Sequence, residues 1–420
     1  MRPPPLPDRS TRGAEPLIAA AAIVLYLGLS LRKMAAYAAD GRFWAEDGMM
    51  FSKIAAMDAA HGLVMLVHGH LTLPANLVVV ASSLVDFRLA PFVSTWLSFA
   101  LQSIPFAMVV AFRRELGLAW WGPAVFAALL VGLPQAAEVW ANPVTLQFHF
   151  TLAAALLAVL ATGTGLRRHG SRALLVLCGL SGIPAHFLAP VFLAQAAITR
   201  DRERWVQFGI LAGTALLQLG LLTYSGFETG GDRSLRPPLW VVWLPTVSHQ
   251  VLGPLFGIGL GDQLATFLRS VPTHNRELLV YALVCSVPIV ALALRLREDE
   301  RLSRVLVACA AVLVVASMVT ARGDPTHLVS SWSGGRYFFA PNALIALYLL
   351  NLAARRPGIG IFGLIAILLA AASLRIEHYL GGPPWKQEYE AAMRSQAPKV
   401  NIWPGGWTVD VPPPRRGSAH

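Results

Sequence analysis

The chain has 420 residues, of which 55% are hydrophobic and 14% charged, and its net charge is +11. Soluble proteins carry about 25% charged residues, so with a mean hydropathy of +0.56 the composition excludes an ordinary soluble enzyme. It also excludes a chain that is disordered over most of its length. The apolar runs are continuous and helix-long, unlike the alternating segments of about ten residues in a membrane β-barrel. The expected fold is all-α: a polytopic transmembrane helical bundle of about 9–13 membrane segments, some broken or re-entrant, with a short exterior C-terminal tail.

Residues 1–16 are rich in Pro and Arg and read as a disordered cytoplasmic tail. The first apolar run covers 17–31. Ala36-Tyr37-Ala38 has the small-residue spacing of a signal-peptidase site, but the chain beyond it is itself membrane-embedded, so 17–31 reads as a retained helix. Further helices are expected at 92–112, 118–136, 146–165, 205–223, 278–294, 305–320, 337–353 and 359–375. Residues 71–87 are apolar but short. Residues 173–199 and 239–268 are broken by Pro and Gly, as in paired short helices or re-entrant hairpins. Cys178, Cys285 and Cys309 all fall inside apolar runs and read as small core hydrophobes.

Charge orients the chain. The basic segments 113–115, 167–172, 200–204, 295–304 and 355–356 belong in the cytoplasm by the positive-inside rule. This placement needs 173–199 and 239–268 each to enter and leave on one side. Loops 137–145, 224–238 and 321–335, and the tail from 376, then face outward. The loop 33–70 is exterior if 71–87 does not span, and cytoplasmic if it does. The basic residues flank spans and form no stripe interleaved with aromatics, so nucleic acid is not an expected partner.

Chemistry-bearing residues cluster in the exterior loops. Glu46 and Asp47 are adjacent acids just after the first helix. An amphipathic stretch at 48–60 follows, with Met50, Ile54 and Met57 near one helical face, and is expected to lie on the membrane surface. The plain alternative is that the two acids cap this helix. The second loop offers Glu138, Asn142, Gln147 and His149. The third offers Arg322, Arg336 and Tyr337, with a guanidinium at a helix start suited to a phosphate. His186 lies in the break of 173–199. Polar groups at helix ends commonly serve as caps, and an interfacial arginine commonly snorkels to lipid.

Trp44, Glu46, Asp47 and Gly48 after a first helix, with the polar loop Asn142–His149, the Gly335-Arg336-Tyr337 helix start and a Trp-bearing tail, resemble the GT-C superfamily of membrane glycosyltransferases. The resemblance implies a transmembrane domain over 17–375, an exterior first loop at 33–70 with a juxtamembrane helix, and a small exterior tail at 376–420. It implies sugar transfer, with inversion, from a polyprenyl-phosphate-linked donor to a saccharide, lipid or protein acceptor. The work would take place on the exterior face of a bacterial cytoplasmic membrane and serve the cell envelope or its polysaccharides. Asp47 is the expected base, because Gly48 leaves room beside it. Glu46 is its companion, and Arg336, Arg322, Tyr337, Glu138, Asn142, Gln147, His149 and His186 are expected to bind substrate. The second loop has one acid where metal-binding members have two, which leaves a divalent cation such as Mg or Mn open. The competing readings are a transporter or flippase of a lipid-linked saccharide, and a polysaccharide polymerase or ligase of different fold.

Overall fold

The computed structural model describes residues 15–133, 138–226, 301–320, 335–358 and 384–412, with isolated positions at 249–250, 263, 266, 360–361, 364–365 and 382. The structure is mostly helical. Among the described residues four segments are long and apolar enough to cross a membrane: Glu15–Lys33, Ala90–Ala111, Arg202–Tyr224 and Arg336–Arg355. That is fewer than the sequence predicts, for a local reason. The runs 118–136 and 146–165 yield helices only over Gly122–Gly132 and Leu146–Val159: residues 118–121 and 160–164 are not helical, and 134–136 lie outside the described residues. The runs 239–268, 278–294 and 359–375 fall outside, or almost outside, the described residues.

The helices run between two ends of one core. Helix α1 (Glu15–Lys33) starts beside Arg113 and Arg114, which both pair with Glu15. After α2 (Glu46–Ala55), α3 (Ala59–Leu63) and α4 (Leu73–Ser83), α5 (Ala90–Gln102) and α6 (Ile104–Ala111) lead back to that basic end. There Glu115 takes Arg167 at 2.7 Å, and Glu203 takes Arg172 at the same end. Helices α7 (Gly122–Gly132) and α8 (Leu146–Val159) leave and re-enter it. Helix α9 (Gly165–Gly179) and α10 (Ala189–Thr199) form a pair joined through a 3-10 turn at Pro184–Leu188. The basic run 167–172, expected as a loop, is thus the first turns of α9. Helix α11 (Arg202–Tyr224) follows. Later come α12 (Arg301–Thr320) and α13 (Arg336–Arg355), whose Asn351 donates to Leu116 O at 3.0 Å at the basic end.

Helix α4 has 11 residues, about 16 Å at 1.5 Å per residue, roughly half of a hydrocarbon core. It packs on α2 and α5.

The expectation of an all-α chain needs correcting in two places. Leu66–Val67 (β1) pairs with His70–Leu71 (β2), and Lys399–Ile402 (β3) pairs with Trp407–Asp410 (β4). His68 and Gly69 both have positive φ, 51° and 79°, the geometry of a two-residue hairpin turn. Such strands are too short for a composition-level reading to detect.

The C-terminal segment is not a free appendage. Helix α14 (Trp385–Ser395) and the β3–β4 hairpin share a second core with the first loop, built on Phe43, Met50, Phe51, Ile54, Ile402 and Val409. Trp385 Nε1 donates to Arg88 O at 2.8 Å. Met50 and Ile54 therefore face protein, not lipid, while Met57 lies beyond the helix and is exposed.

Candidate active site

The loop between α7 and α8 dips into the bundle. Val139, Trp140 and Ala141 are fully buried, and Asn142 nearly so. Irregular backbone at such depth needs a partner for each polar group, and side chains from several elements supply them. His149 Nε2 donates to Val139 O at 3.0 Å. Arg42 Nη2 donates to Trp140 O at 2.8 Å. Gln102 Oε1 accepts from Ala141 N at 2.6 Å. Asp47 Oδ1 accepts from Val144 N at 3.3 Å. Asn142 closes the turn itself: its Nδ2 donates to Glu138 O at 3.0 Å and its Oδ1 accepts from Thr145 N at 3.0 Å. Ala141 holds φ +53°, a left-handed conformation that costs a residue with a Cβ of order 1–3 kcal/mol and persists where the surroundings fix it.

Asn142 and His149, expected at the substrate, are thus committed to the backbone of this loop. Gln147 is half-buried and sits against Gly182, where an added Cβ would come within 2.5 Å of its Oε1. His186 lies in the α9–α10 break as expected, and its Nε2 meets Thr214 Oγ1 of α11 at 3.2 Å. Arg322 lies outside the described residues.

What the fold brings together is Glu46, Glu138 and Arg336. Arg336 Nη1 reaches Glu138 Oε1 at 2.9 Å, and its backbone N–H donates to Glu138 Oε2 at 3.3 Å. Glu46 is half-buried and acts electrostatically on both. Burial pushes the Glu138 carboxyl above the usual range and Glu46 adds to this, while Arg336 opposes it. Tyr337, also half-buried, lies beside Arg336 and edge-on to Phe148 at 5.7 Å. Arg336 is one-third exposed, so this pair opens toward the surface.

Asp47 has a different setting. It is 1% exposed, and its Oδ2 accepts from Trp44 N at 3.1 Å, fastening the entry of α2. Burial pushes its pKa from 3.8 up to about 8, Glu46 adds to the rise, and the two backbone donors and Arg42 oppose it. The space expected beside Gly48 is filled: an added Cβ would stand 2.4 Å from Ile402 and 3.3 Å from Val409. The glycine admits the C-terminal hairpin, not a substrate.

Sequence reasoning passed over Arg42, Lys33 and Gln102. Arg42 is 3% exposed and caged by Tyr37, Trp44 and Trp403, with ring centroids at 3.9, 4.6 and 5.5 Å. Its signal was available: an arginine between Tyr37 and Trp44 in a loop otherwise short of basic residues. Among the described residues no three His, Cys, Asp or Glu side chains are grouped to hold a metal. Comparison with protein-family models, with curated proteins and with solved structures returned no match.

Proposed function

We propose that the chain is an integral membrane glycosyltransferase that moves a sugar from a polyprenyl-phosphate donor to an acceptor hydroxyl on the exterior face of the cytoplasmic membrane. The observation that carries this reading is the Arg336–Glu138 pair, with Glu46 near enough for its charge to act on both. An acid from the first loop, an acid from the second and a guanidinium from a late helix stand at one place. The basic ends of the helices gather at the opposite place.

The same arrangement supports an orientation. With the basic end cytoplasmic, α4 too short to span and Lys33 buried rather than a loop charge, the first loop and the C-terminal module face outward.

Glu46 is the carboxylate placed to act as base, because it is the accessible member of the pair. It takes the proton of the acceptor hydroxyl as that oxygen attacks the anomeric carbon. The bond from the anomeric carbon to the phosphate oxygen breaks, and the polyprenyl phosphate leaves with the electron pair, its charge met by Arg336. One displacement inverts the anomeric centre. Asp47 holds α2 to the second loop, and so positions Glu46.

The test is sugar transfer from a purified polyprenyl-phosphate sugar in nanodiscs. Loss of turnover in Glu46→Gln with retained donor binding supports the reading. Normal turnover in that variant overturns the assigned base, and no transfer by the wild-type chain from any such donor overturns the function.

A further inference from the structure

Helix α1 has one buried stripe, Ala22, Tyr26, Ser30 and Lys33, spaced along a single face. The other faces carry exposed Ile23, Val24, Leu27 and Leu31, as expected beside lipid. Lys33 therefore turns inward. It is 7% exposed, donates to Val131 O at 2.8 Å and stands 4.7 Å from the centroid of the Trp140 ring. Among the described residues it forms no ion pair with a carboxylate, and the charge acting on it is the like charge of Arg42. A buried ammonium without a counter-charge is costly.

The surrounding side chains present unused donors. Among the described residues, Trp140 Nε1 is buried with no hydrogen-bond partner, and Gln102 Nε2 and the hydroxyl of Ser30 are buried with no neighbour beyond the Tyr26 hydroxyl beside them. An indole N–H can only donate, as can the amide nitrogen, since Gln102 Oε1 is taken by Ala141 N. Unsatisfied buried donors require an explanation, and here they accompany a cation that also lacks its counter-charge. A compact ammonium with several N–H and O–H donors suits an acceptor-rich oxyanion, the setting in which lysine holds phosphate as a point charge.

We infer that Lys33, Trp140, Gln102 and Ser30 form a buried anion site beneath the first loop that takes a phosphate group. Trp403, at the turn of the C-terminal hairpin, lies over the neighbouring Arg42. The inference concerns binding, and it stands whether or not the chain transfers sugar.

The experiment measures affinity by thermal unfolding of the full chain in detergent, titrated with farnesyl phosphate, farnesol or inorganic phosphate. Wild type is expected to be stabilised by farnesyl phosphate and not by farnesol. Lys33→Met should weaken that affinity about ten- to a hundredfold, the loss of one charge-assisted hydrogen bond. Its unliganded midpoint should not fall, because a buried unpaired charge has been removed. Arg32→Met, which removes an exposed charge one residue away, should bind as wild type does. Stabilisation by inorganic phosphate as well assigns the site to phosphate from any source, and its absence assigns it to a lipid-borne phosphate. Equal affinity in wild type and Lys33→Met, or equal binding of farnesol, overturns the inference. Failure of sugar transfer with retained binding would overturn only the proposed function.

Discussion

Glu138 and Arg336 lie 198 positions apart and meet twice, side chain to side chain at 2.9 Å and carboxylate to backbone N–H at 3.3 Å. The contact ties the buried second loop to the start of α13 and orients the guanidinium. Nη1 serves Glu138, and Glu46 acts on the guanidinium through its charge.

The pair gives unequal single variants. Arg336→Ala should weaken donor binding about ten- to a hundredfold, the loss of a charge-assisted hydrogen bond. It also leaves Glu138 buried without its partner. Arg336→Lys should recover part of the affinity, since the planar fork is lost. The check is donor titration by thermal shift or calorimetry. Unchanged affinity in Arg336→Ala would reduce this residue to a fastening of the second loop.

The two acids of the first loop should separate by what each variant loses. Glu46→Gln should lower turnover about 10²–10⁴-fold, the usual loss of a general base, with an unchanged unfolding midpoint. Asp47→Asn should lower the midpoint as well, because one amide oxygen cannot accept from both Trp44 N and Val144 N. A stable but inactive Asp47→Asn beside an active Glu46→Gln would reverse the roles.

Asp47 also sets a pH dependence. Its pKa is about 8 in the folded chain against an ordinary 3.8, so the folded state holds a proton that the unfolded chain has released. Stability from this group is full below about pH 4 and falls as pH rises, by about 1.4 kcal/mol per unit, until about pH 8. The unfolding midpoint in detergent should therefore drop across that window in wild type and drop less in Asp47→Asn. Parallel curves would mean that Asp47 does not titrate there.

Gly48 should tolerate no side chain. Gly48→Ala places a methyl 2.4 Å from Ile402 Cδ1 and 3.3 Å from Thr408 O and Val409 Cβ, so the Ile402 side chain must move and the hairpin is pressed outward. Overpacking of this kind costs about 1–3 kcal/mol. The variant should unfold earlier and expose the segment after 384 to protease, and Ile402→Val should restore part of the loss. If protease sensitivity is unchanged, the side chain of Ile402 adjusts in place.

Orientation can be read with single cysteines in a Cys-free background. A cysteine at the exposed Lys386 should react with an impermeant maleimide from outside the cytoplasmic membrane, and one at the exposed Arg356 should not. The reverse pattern would put the candidate site in the cytoplasm.

The sequence by itself determined that the chain carries helices long and apolar enough to cross a membrane, the positions of the long helices α1, α5–α6, α11 and α13, and the acid pair after the first helix. These are readable because an apolar run of helical length and a cluster of charge are local properties of the chain. It also indicated the break between α9 and α10, since Gly182 and Pro184 interrupt the run in place. Only the tertiary structure decided which polar residues are spent on the fold. Asn142 and His149 look like ligands in the sequence and serve the backbone of the second loop. Lys33 looks like a flanking charge and is buried on the inner stripe of α1. Gly48 looks like an opening and is filled by Ile402. Each outcome depends on a partner tens to hundreds of positions away, because a buried non-helical loop takes its hydrogen bonds from whichever elements the packing brings to it.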